Sequence, residues 1–142
     1  MLYSKIVVAY DGSETADKAL DTAMKLTKLD QDSRLEILHV FNFPKYMLGD
    51  GVVVPSISIE NTDYSKQVTD KLKGKIMDDS NVHIEVREGA SAAKEILAYA
   101  SESHADLIVV GSRGLNSLGE FILGSVSHSI VQHAKIPVLV VK

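Results

Sequence analysis

The sequence predicts an α/β fold, namely an open, doubly wound, five-stranded parallel sheet with helices on both faces. Five short β-rich runs alternate with helical patterns along the chain, and no internal repeat is present. The first, fourth and fifth runs are nearly continuous Ile, Leu and Val, which is typical of strands that helices cover on both faces. Right-handed crossovers then give a Rossmann-like sheet with the strand order 3-2-1-4-5.

Gly, Asp, Asn, Ser or Pro bound each predicted strand. The predicted strands are Lys5 to Tyr10, Leu35 to Val40, His83 to Arg87, Leu107 to Val110 and Val138 to Val141. The last of these is expected at an edge of the sheet, because the chain ends there. An apolar edge strand invites pairing with another chain.

Four helical patterns separate the strands, as parallel connections require. The first follows Ser13, a residue suited to capping a helix. Its buried stripe is predicted as Ala16, Ala19, Leu20, Ala23, Met24 and Thr27. The second runs from about Asn61 to Asp78, with a narrower stripe that Gly74 interrupts. That stripe consists of Tyr64, Val68, Leu72 and Ile76.

The third and fourth helices are predicted to be short and amphipathic. The third begins after a possible cap at Ser91, and its expected buried residues are Ala93, Ile96, Leu97 and Ala100. The fourth begins near Ser125, and its expected buried residues are Val126, Ile130, Val131 and Ala134.

Composition limits the classes of function. With 142 residues and 45% hydrophobic content, the chain is expected to form one domain over residues 1–142. The absence of cysteine excludes disulfides and cysteine-ligated metals and fits a cytoplasmic location. A net charge of −4 disfavours nucleic acid as a partner. The opening apolar run is far shorter than the ~20 residues of a membrane span and lacks the features of a secretory signal.

One long segment, from Phe41 to Glu60, contains Pro44, Gly49, Gly51 and Pro55 and is predicted to be irregular. A loop of this length in a compact domain is usually functional or disordered. In open parallel sheets, ligands bind at the carboxyl edge, where the strand order reverses. The loops after the first and fourth strands are therefore the candidate binding loops.

The segment after the fourth strand is rich in glycine and hydroxyl side chains, with Gly111, Gly114 and Gly124 followed by Ser125 and Ser127. Glycine lets backbone N–H groups approach an anion, and the start of the next helix adds further donors. The combination suits phosphate. It matches neither the Walker loop nor the Gly-x-Gly-x-x-Gly fingerprint.

Further stretches carry a resemblance to a known family. They are the opening Ile-Val-Val-Ala-Tyr-Asp11-Gly12-Ser13 with Ala19-Leu20 behind it, His39-Val40, Ala105-Asp106 with the strand that leads to Gly111, and the closing Pro137-Val-Leu-Val-Val. Together with the glycine spacing, they resemble the universal stress protein family in its ATP-binding branch, and the resemblance covers the whole chain.

The resemblance implies a site for an adenine nucleotide. Asp11 would contact the ribose hydroxyls, and backbone groups near Ala9 and Val40 would hold the adenine. Tyr10 stands where many members have a small residue or Val, so the shape of the pocket differs there. The residues expected around the phosphates are Gly111, Arg113, Gly114, Gly124, Ser125 and Ser127, and Ser112 and Val126 are also expected to contact the nucleotide. The ligand would be ATP, with or without Mg²⁺ held through its phosphates, and no side chain is expected to ligate a metal.

Plainer interpretations of the same residues stay open from the sequence. Asp11 could belong only to a turn, the glycine segment could be a flexible connection, and Arg113 could be a solvated charge. The histidines show no metal-site spacing, and the run of Lys71, Lys73 and Lys75 is interpreted as a solvated face. A Gly-x-Ser-x-Gly elbow is absent, and the likeness to a receiver domain stops at the fold because strand three supplies no acceptor Asp.

The residues thus predict a nucleotide sensor without efficient catalysis, and the family resemblance implies a role in the stress response. Phosphoryl transfer needs a metal-holding carboxylate near the phosphates, and the glycine segment offers only Glu120. A homodimer through Val138 to Val141 and an unnamed regulatory protein are the expected partners. Two other functions stay open, a protein-interaction module without nucleotide and an enzyme that hydrolyses ATP slowly or transfers adenylate. The sequence does not distinguish ATP from AMP or a cyclic nucleotide.

Overall fold

A computed structural model describes residues 2–42, 45–48, 52–55, 59–76, 79–113 and 123–142 of the chain. Seven strands and four helices lie within these ranges. Their order is β1 (Lys5–Ala9), α1 (Glu14–Thr27), β2 (Arg34–Phe41), β3 (Lys45–Leu48), β4 (Val52–Pro55), α2 (Ile59–Ile76), β5 (Val82–Glu88), α3 (Ala92–Glu102), β6 (Leu107–Gly111), α4 (Ser125–His133) and β7 (Val138–Val141).

The main sheet has five strands in the order β5-β2-β1-β6-β7, and every pair in it is parallel. Numbered by the predicted strands alone, this order is 3-2-1-4-5, so the predicted topology is confirmed. The strand order reverses at β1, whose neighbours are β2 and β6. In the register, Val8 lies opposite Ile37 on one side and Val109 on the other. The carboxyl ends of these three strands therefore share one edge of the sheet.

Two apolar clusters cover the two faces of the sheet, because successive residues of a strand point to opposite sides. In β1, Ile6 and Val8 pack with α1 and α2, whereas Val7 packs with α3 and α4. Leu20 of α1 and Leu72 of α2 are fully buried in the first cluster. Burying a side chain of that size contributes about 1.5–3 kcal/mol, so the alternating pattern of the strands anchors both helical layers.

The predicted helix starts agree with the structure. Ser13 accepts a hydrogen bond from the N–H of Ala16 and caps α1, and Ser91 accepts one from the N–H of Lys94 and caps α3. Helix α4 begins at the predicted Ser125, after Gly124, and has no side-chain cap. No helix within the described ranges is long and apolar enough to cross a membrane.

Two sequence predictions of packing were wrong. Val131 is 47% exposed, because it follows the buried Ile130 by one residue and is rotated about 100° away from it around the helix. Tyr64 is 37% exposed, and its hydroxyl donates a hydrogen bond to the backbone carbonyl of Asp11. The rest of the α2 stripe, Val68, Leu72 and Ile76, is buried as predicted.

The sequence predicted an irregular segment from Phe41 to Glu60, and this prediction was wrong in part. The segment contains β3 and β4, which pair antiparallel with Tyr46 opposite Val54, and the first two residues of α2. The proline and glycine residues of this segment favour irregular structure, whereas the β-branched residues from Val52 to Val54 favour a strand. Residues 43–44, 49–51 and 56–58 of this segment lie outside the described ranges.

Candidate functional site

The loops after β1 and β6 meet at the carboxyl edge of the sheet. The hydroxyl of Thr15, in the first turn of α1, donates a hydrogen bond to the carbonyl of Arg113. A Cβ added at Gly111 would lie 2.7 Å from Thr15 Oγ1 and 2.9 Å from the carbonyl carbon of Thr15. The start of α1 thus packs directly on the end of β6, and only glycine fits at position 111 without displacing backbone.

Asp11 lies in the turn between β1 and α1. One of its carboxylate oxygens, Oδ1, accepts a hydrogen bond from the N–H of Ser13 at 2.9 Å. Gly12 has φ +82°, a left-handed conformation that favours glycine. Within the described part of the chain, Asp11 Oδ2 accepts no hydrogen bond and remains available to a ligand hydroxyl.

Tyr10 contributes its backbone, and not its side chain, to this edge. Its side chain is buried on the face covered by α1 and α2, where the phenol donates a 2.5 Å hydrogen bond to Asp17. Burial and then this hydrogen bond raise the pKa of Tyr10. The N–H of Tyr10 donates to the carbonyl of Leu38, and its own carbonyl accepts a hydrogen bond from His39 Nδ1 at 2.9 Å.

Three predicted apolar residues of the site lie on the opposite face. Ala9 ends β1, Val40 lies near the end of β2, and Val126 lies in the first turn of α4. All three are partly buried and pack against the cluster that α3 and α4 cover. They can therefore form an apolar wall beside Asp11, of the kind that accepts a flat aromatic ring.

Hydrogen bonds join the start of α4 to the end of β6. The N–H of Gly124 donates to the carbonyl of Ser112 at 2.8 Å. The buried hydroxyl of Ser127 lies 3.1 Å from the same carbonyl and 3.0 Å from that of Gly124. The N–H of Ser112 donates in turn to Val141 in β7. These contacts hold the amino terminus of α4 at the carboxyl end of β6, and a helix amino terminus carries a partial positive charge and N–H groups without partners inside the helix.

The predicted phosphate residues differ in what they offer. Ser125 is exposed at the first position of α4. Ser127 already uses its hydroxyl proton on a backbone carbonyl, so it can only accept a further hydrogen bond. Arg113 contributes its carbonyl to the contact with Thr15. Gly114, which the sequence predicted as a phosphate contact, and the nearby Glu120 lie outside the described residues.

Sequence reasoning missed the contacts that helix α2 makes to this region. Lys71 and Lys75 both bind the carboxylate of Asp17, at 2.8 and 2.9 Å, so the interpretation of the lysine run as a solvated face was incomplete. The hydroxyl of Tyr64 donates to the carbonyl of Asp11. The four-residue spacing of the lysines indicated one helix face, but their partner on α1 comes only from tertiary packing.

Two other features lie apart from this site. A cleft of about 210 Å³ at the amino ends of the strands is lined by Leu2, Tyr3, Leu26, Leu29, Asp30 and Ser33. It opens at the opposite edge of the sheet from Asp11. Among the described residues, no three His, Cys, Asp or Glu side chains lie close enough to hold a metal ion.

The fold and the site define a class, the small parallel α/β proteins with binding loops at the point where the strand order reverses. The sequence pattern that describes the universal stress protein family matches residues 2–142. The chain belongs to this family. It is similar to the universal stress protein YxiE of Bacillus subtilis, with 34% identity over 99% of this chain and 100% of that protein.

Solved structures agree with this assignment. The universal stress protein UspA from Lactobacillus plantarum superposes with a TM-score of 0.79 and 25% identity, over 99% of this chain and 98% of that one. A universal stress protein from Archaeoglobus fulgidus, solved in complex with dAMP, has a TM-score of 0.68 and 21% identity over the full length of both chains. A third universal stress protein structure, solved in complex with cAMP, has a TM-score of 0.68 and 22% identity, over 100% of this chain and 99% of that one.

Proposed function

We propose that this protein binds an adenine nucleotide, ATP, at the carboxyl edge of its sheet and acts as a nucleotide sensor. The observation that carries the proposal is the junction between Thr15 and the end of β6. It joins the start of α1, which follows Asp11, to the end of β6, and the proposal is that one ligand spans Asp11 and the amino terminus of α4. The cAMP and dAMP bound to two proteins of the same fold support an adenine nucleotide as the ligand, and ATP is the finer part of the proposal.

The nucleotide has three chemically different parts, and the edge offers a matching group for each. The free carboxylate oxygen of Asp11 would accept hydrogen bonds from the ribose hydroxyls. The partly buried Ala9, Val40 and Val126 would pack against the adenine. Backbone N–H groups at the start of α4 would bind phosphate oxygens. Contacts from the predicted phosphate residues Gly111, Ser112, Arg113, Gly114, Gly124, Ser125 and Ser127 belong to this proposal.

We propose binding without efficient hydrolysis. Phosphoryl transfer requires carboxylates that hold Mg²⁺ near the transferred phosphate and a group that orients the attacking water. In the proposed orientation, Asp11 lies at the ribose and is unsuited to either task. Mg²⁺ would be held through the phosphates alone. Phosphate release that depends on ATP and disappears in Asp11→Ala would instead favour the slow enzyme.

The sensing step follows from where the ligand binds. A ligand that contacts the β1–α1 turn and the start of α4 together favours the arrangement in which they are held in register. The surface at this edge would then differ between the nucleotide-bound and the free protein, and a regulatory protein in the cytoplasm would read that difference. Residues 1–142 would act as one nucleotide-binding unit.

Calorimetric titration with ATP tests the binding proposal. We expect saturable heat from the wild-type protein and at least a tenfold weaker affinity for Asp11→Ala, because a hydrogen bond to a charged group contributes about 1.5–3 kcal/mol. Asp21→Ala is the matched control, since Asp21 is exposed on α1 and has no ion pair among the described residues. No heat and no thermal stabilisation at millimolar ATP would refute the proposal and leave the interaction module.

We further propose that the protein forms a homodimer through β7. The two edges of the main sheet differ in character. Edge strand β5 carries His83, Glu85 and Arg87 at alternate positions, and charges of this kind protect an edge from pairing. Edge strand β7 has only Val and Leu, and Leu139 is 36% exposed. The unprotected edge is the one suited to a second copy of the chain.

Sedimentation of variants at the two edges tests the dimer. Leu139→Lys places a charge on β7 and is expected to give a 15.4 kDa monomer. Val86→Lys is the matched control, because Val86 is 40% exposed on the opposite edge strand. A wild-type protein that sediments as a monomer at all micromolar concentrations would refute this proposal.

A further inference from the structure

Two consecutive backbone carbonyls after β1 are held by side chains from other elements. The carbonyl of Tyr10 accepts a hydrogen bond from His39 Nδ1, in β2, at 2.9 Å. The carbonyl of Asp11 accepts one from the hydroxyl of Tyr64, in α2. The last strand hydrogen bond of this region is made by the N–H of Tyr10 to Leu38. At Tyr10 and Asp11, hydrogen bonds from side chains, and not from a neighbouring strand, fix the backbone carbonyls.

His39 is built into the core to make this contact. Its residue is only 2% exposed. A carbonyl oxygen can only accept, so Nδ1 is the donor in this hydrogen bond. Nε2 is buried and has no hydrogen-bond partner among the described residues. The bond from Nδ1 to Tyr10 is therefore the one hydrogen bond that the ring makes to the described residues.

Tyr64 contacts the same turn from helix α2. A Cβ at Gly12 would lie 3.1 Å from the hydroxyl oxygen of Tyr64 and 3.2 Å from Val68 Cγ2, so α2 packs closely over the turn. Burial and then the negative charge of Asp11 raise the pKa of Tyr64. The phenol therefore keeps its proton and its role as a donor, and it lies close enough to the Asp11 carboxylate to sense its charge.

We propose that Tyr64 and His39 are positioning residues that hold the backbone of Asp11 in the orientation required to grip a ribose. The N–H of Ser13 orients the carboxylate at 2.9 Å, while the two side chains immobilise the peptide units on either side of the Asp11 Cα. A carboxylate held in this way loses less freedom when it binds two hydroxyls. This inference rests on the proposed nucleotide site.

The test compares ATP with 2′,3′-dideoxy-ATP, which lacks both ribose hydroxyls. The dissociation constant of dideoxy-ATP divided by that of ATP, both measured by calorimetry, reports the contribution of the ribose hydroxyls alone. Asp11→Ala, which removes the carboxylate, is expected to bring the ratio near one. Tyr64→Phe, which removes only the hydroxyl, is expected to lower the ratio about fivefold and to leave dideoxy-ATP affinity within twofold, as for one hydrogen bond.

A matched control and a rescue separate positioning from general stability. Tyr99→Phe removes a comparable phenol hydrogen bond, 2.7 Å to Glu36, on the opposite face of the sheet. It should leave the ratio unchanged. His39→Leu is expected to lower the ratio, and His39→Asn to restore most of it, because the Asn side-chain nitrogen can donate from nearly the position of Nδ1.

The outcomes distinguish this inference from the function on which it rests. If the wild-type protein binds ATP but Tyr64→Phe keeps the wild-type ratio, the positioning role is refuted and the nucleotide site stands. If Tyr64→Phe weakens both ligands equally, Tyr64 acts on overall structure and the positioning role is again refuted. No ATP binding by the wild-type protein overturns the proposed function and this inference together.

Discussion

Asp17 of α1 binds both Tyr10, which follows β1, and two lysines of α2, so its replacement is a direct test of the packing described above. Its Oδ1 atom accepts hydrogen bonds from Tyr10, at 2.5 Å, and Lys75, and its Oδ2 atom accepts one from Lys71. The variant Asp17→Asn keeps the size of the side chain and removes its charge. We expect it to fold and to be less stable than the wild-type protein.

The size of the effect follows from the pKa of Asp17. Partial burial alone would raise this pKa, but the hydrogen bonds from Lys71, Tyr10 and Lys75 lower it from 3.8 to about 2. One pKa unit corresponds to about 1.4 kcal/mol, which sets an upper limit of about 2.5 kcal/mol. The side chain of Lys71 is 45% exposed and that of Lys75 33%. Solvent screens such pairs, so we expect a loss of about 1 kcal/mol.

The pH dependence gives the sharper readout. Because the folded-state pKa lies below the unfolded value, the stabilisation is complete above pH 3.8 and is lost as the pH falls towards about 2. Urea unfolding of the wild-type protein and Asp17→Asn should therefore differ by a constant amount near neutral pH and converge in acid. Asp21→Asn, on the exposed side of α1, is the control. Equal stability of Asp17→Asn and the wild-type protein at pH 7 would refute the reasoning.

Three further substitutions test other contacts, each by chemical unfolding. Gly111→Ala forces a Cβ against the backbone of Thr15, and should cost about 1–3 kcal/mol and weaken ATP binding; unchanged stability would contradict the close packing. Ser13→Ala removes the cap of α1 and should cost about 1 kcal/mol. Asp106→Asn replaces a carboxylate that accepts hydrogen bonds from the N–H groups of Ser4 and Lys5 at 2.7 and 3.0 Å. It should lower the free energy of unfolding by about 1 kcal/mol and leave ATP affinity unchanged.

Most of the fold could be predicted because local periodicity and burial agree along this chain. The continuous apolar runs of β1, β6 and β7 and the Ser13 and Ser91 caps are properties of short stretches of sequence. The pairing of β3 with β4 was missed, because these strands have four residues each and lie among glycines and prolines. Val131 was placed on the wrong face, because a helix of nine residues shows too few turns to define its stripe.

The candidate site could likewise be predicted only in part from the sequence. Asp11 follows the end of β1 and Gly111 ends β6, and the parallel topology alone brings these two residues to one edge. The direction of the Tyr10 side chain was also accessible, since alternation puts it on the face of Ile6 and Val8. The contact of Tyr64 with Asp11 was not accessible, because it joins residues 53 positions apart. The same is true of the ion pairs of Lys71 and Lys75 with Asp17.

A crystal structure of the protein with ATP tests the central claim most directly. We predict a nucleotide whose ribose hydroxyls lie within hydrogen-bond distance of the Asp11 carboxylate and whose phosphates contact backbone N–H groups between Gly124 and Ser127. The adenine should lie against Ala9 and Val40. A nucleotide bound elsewhere, such as in the cleft beside Leu29, or crystals grown at millimolar ATP without bound nucleotide, would contradict the account.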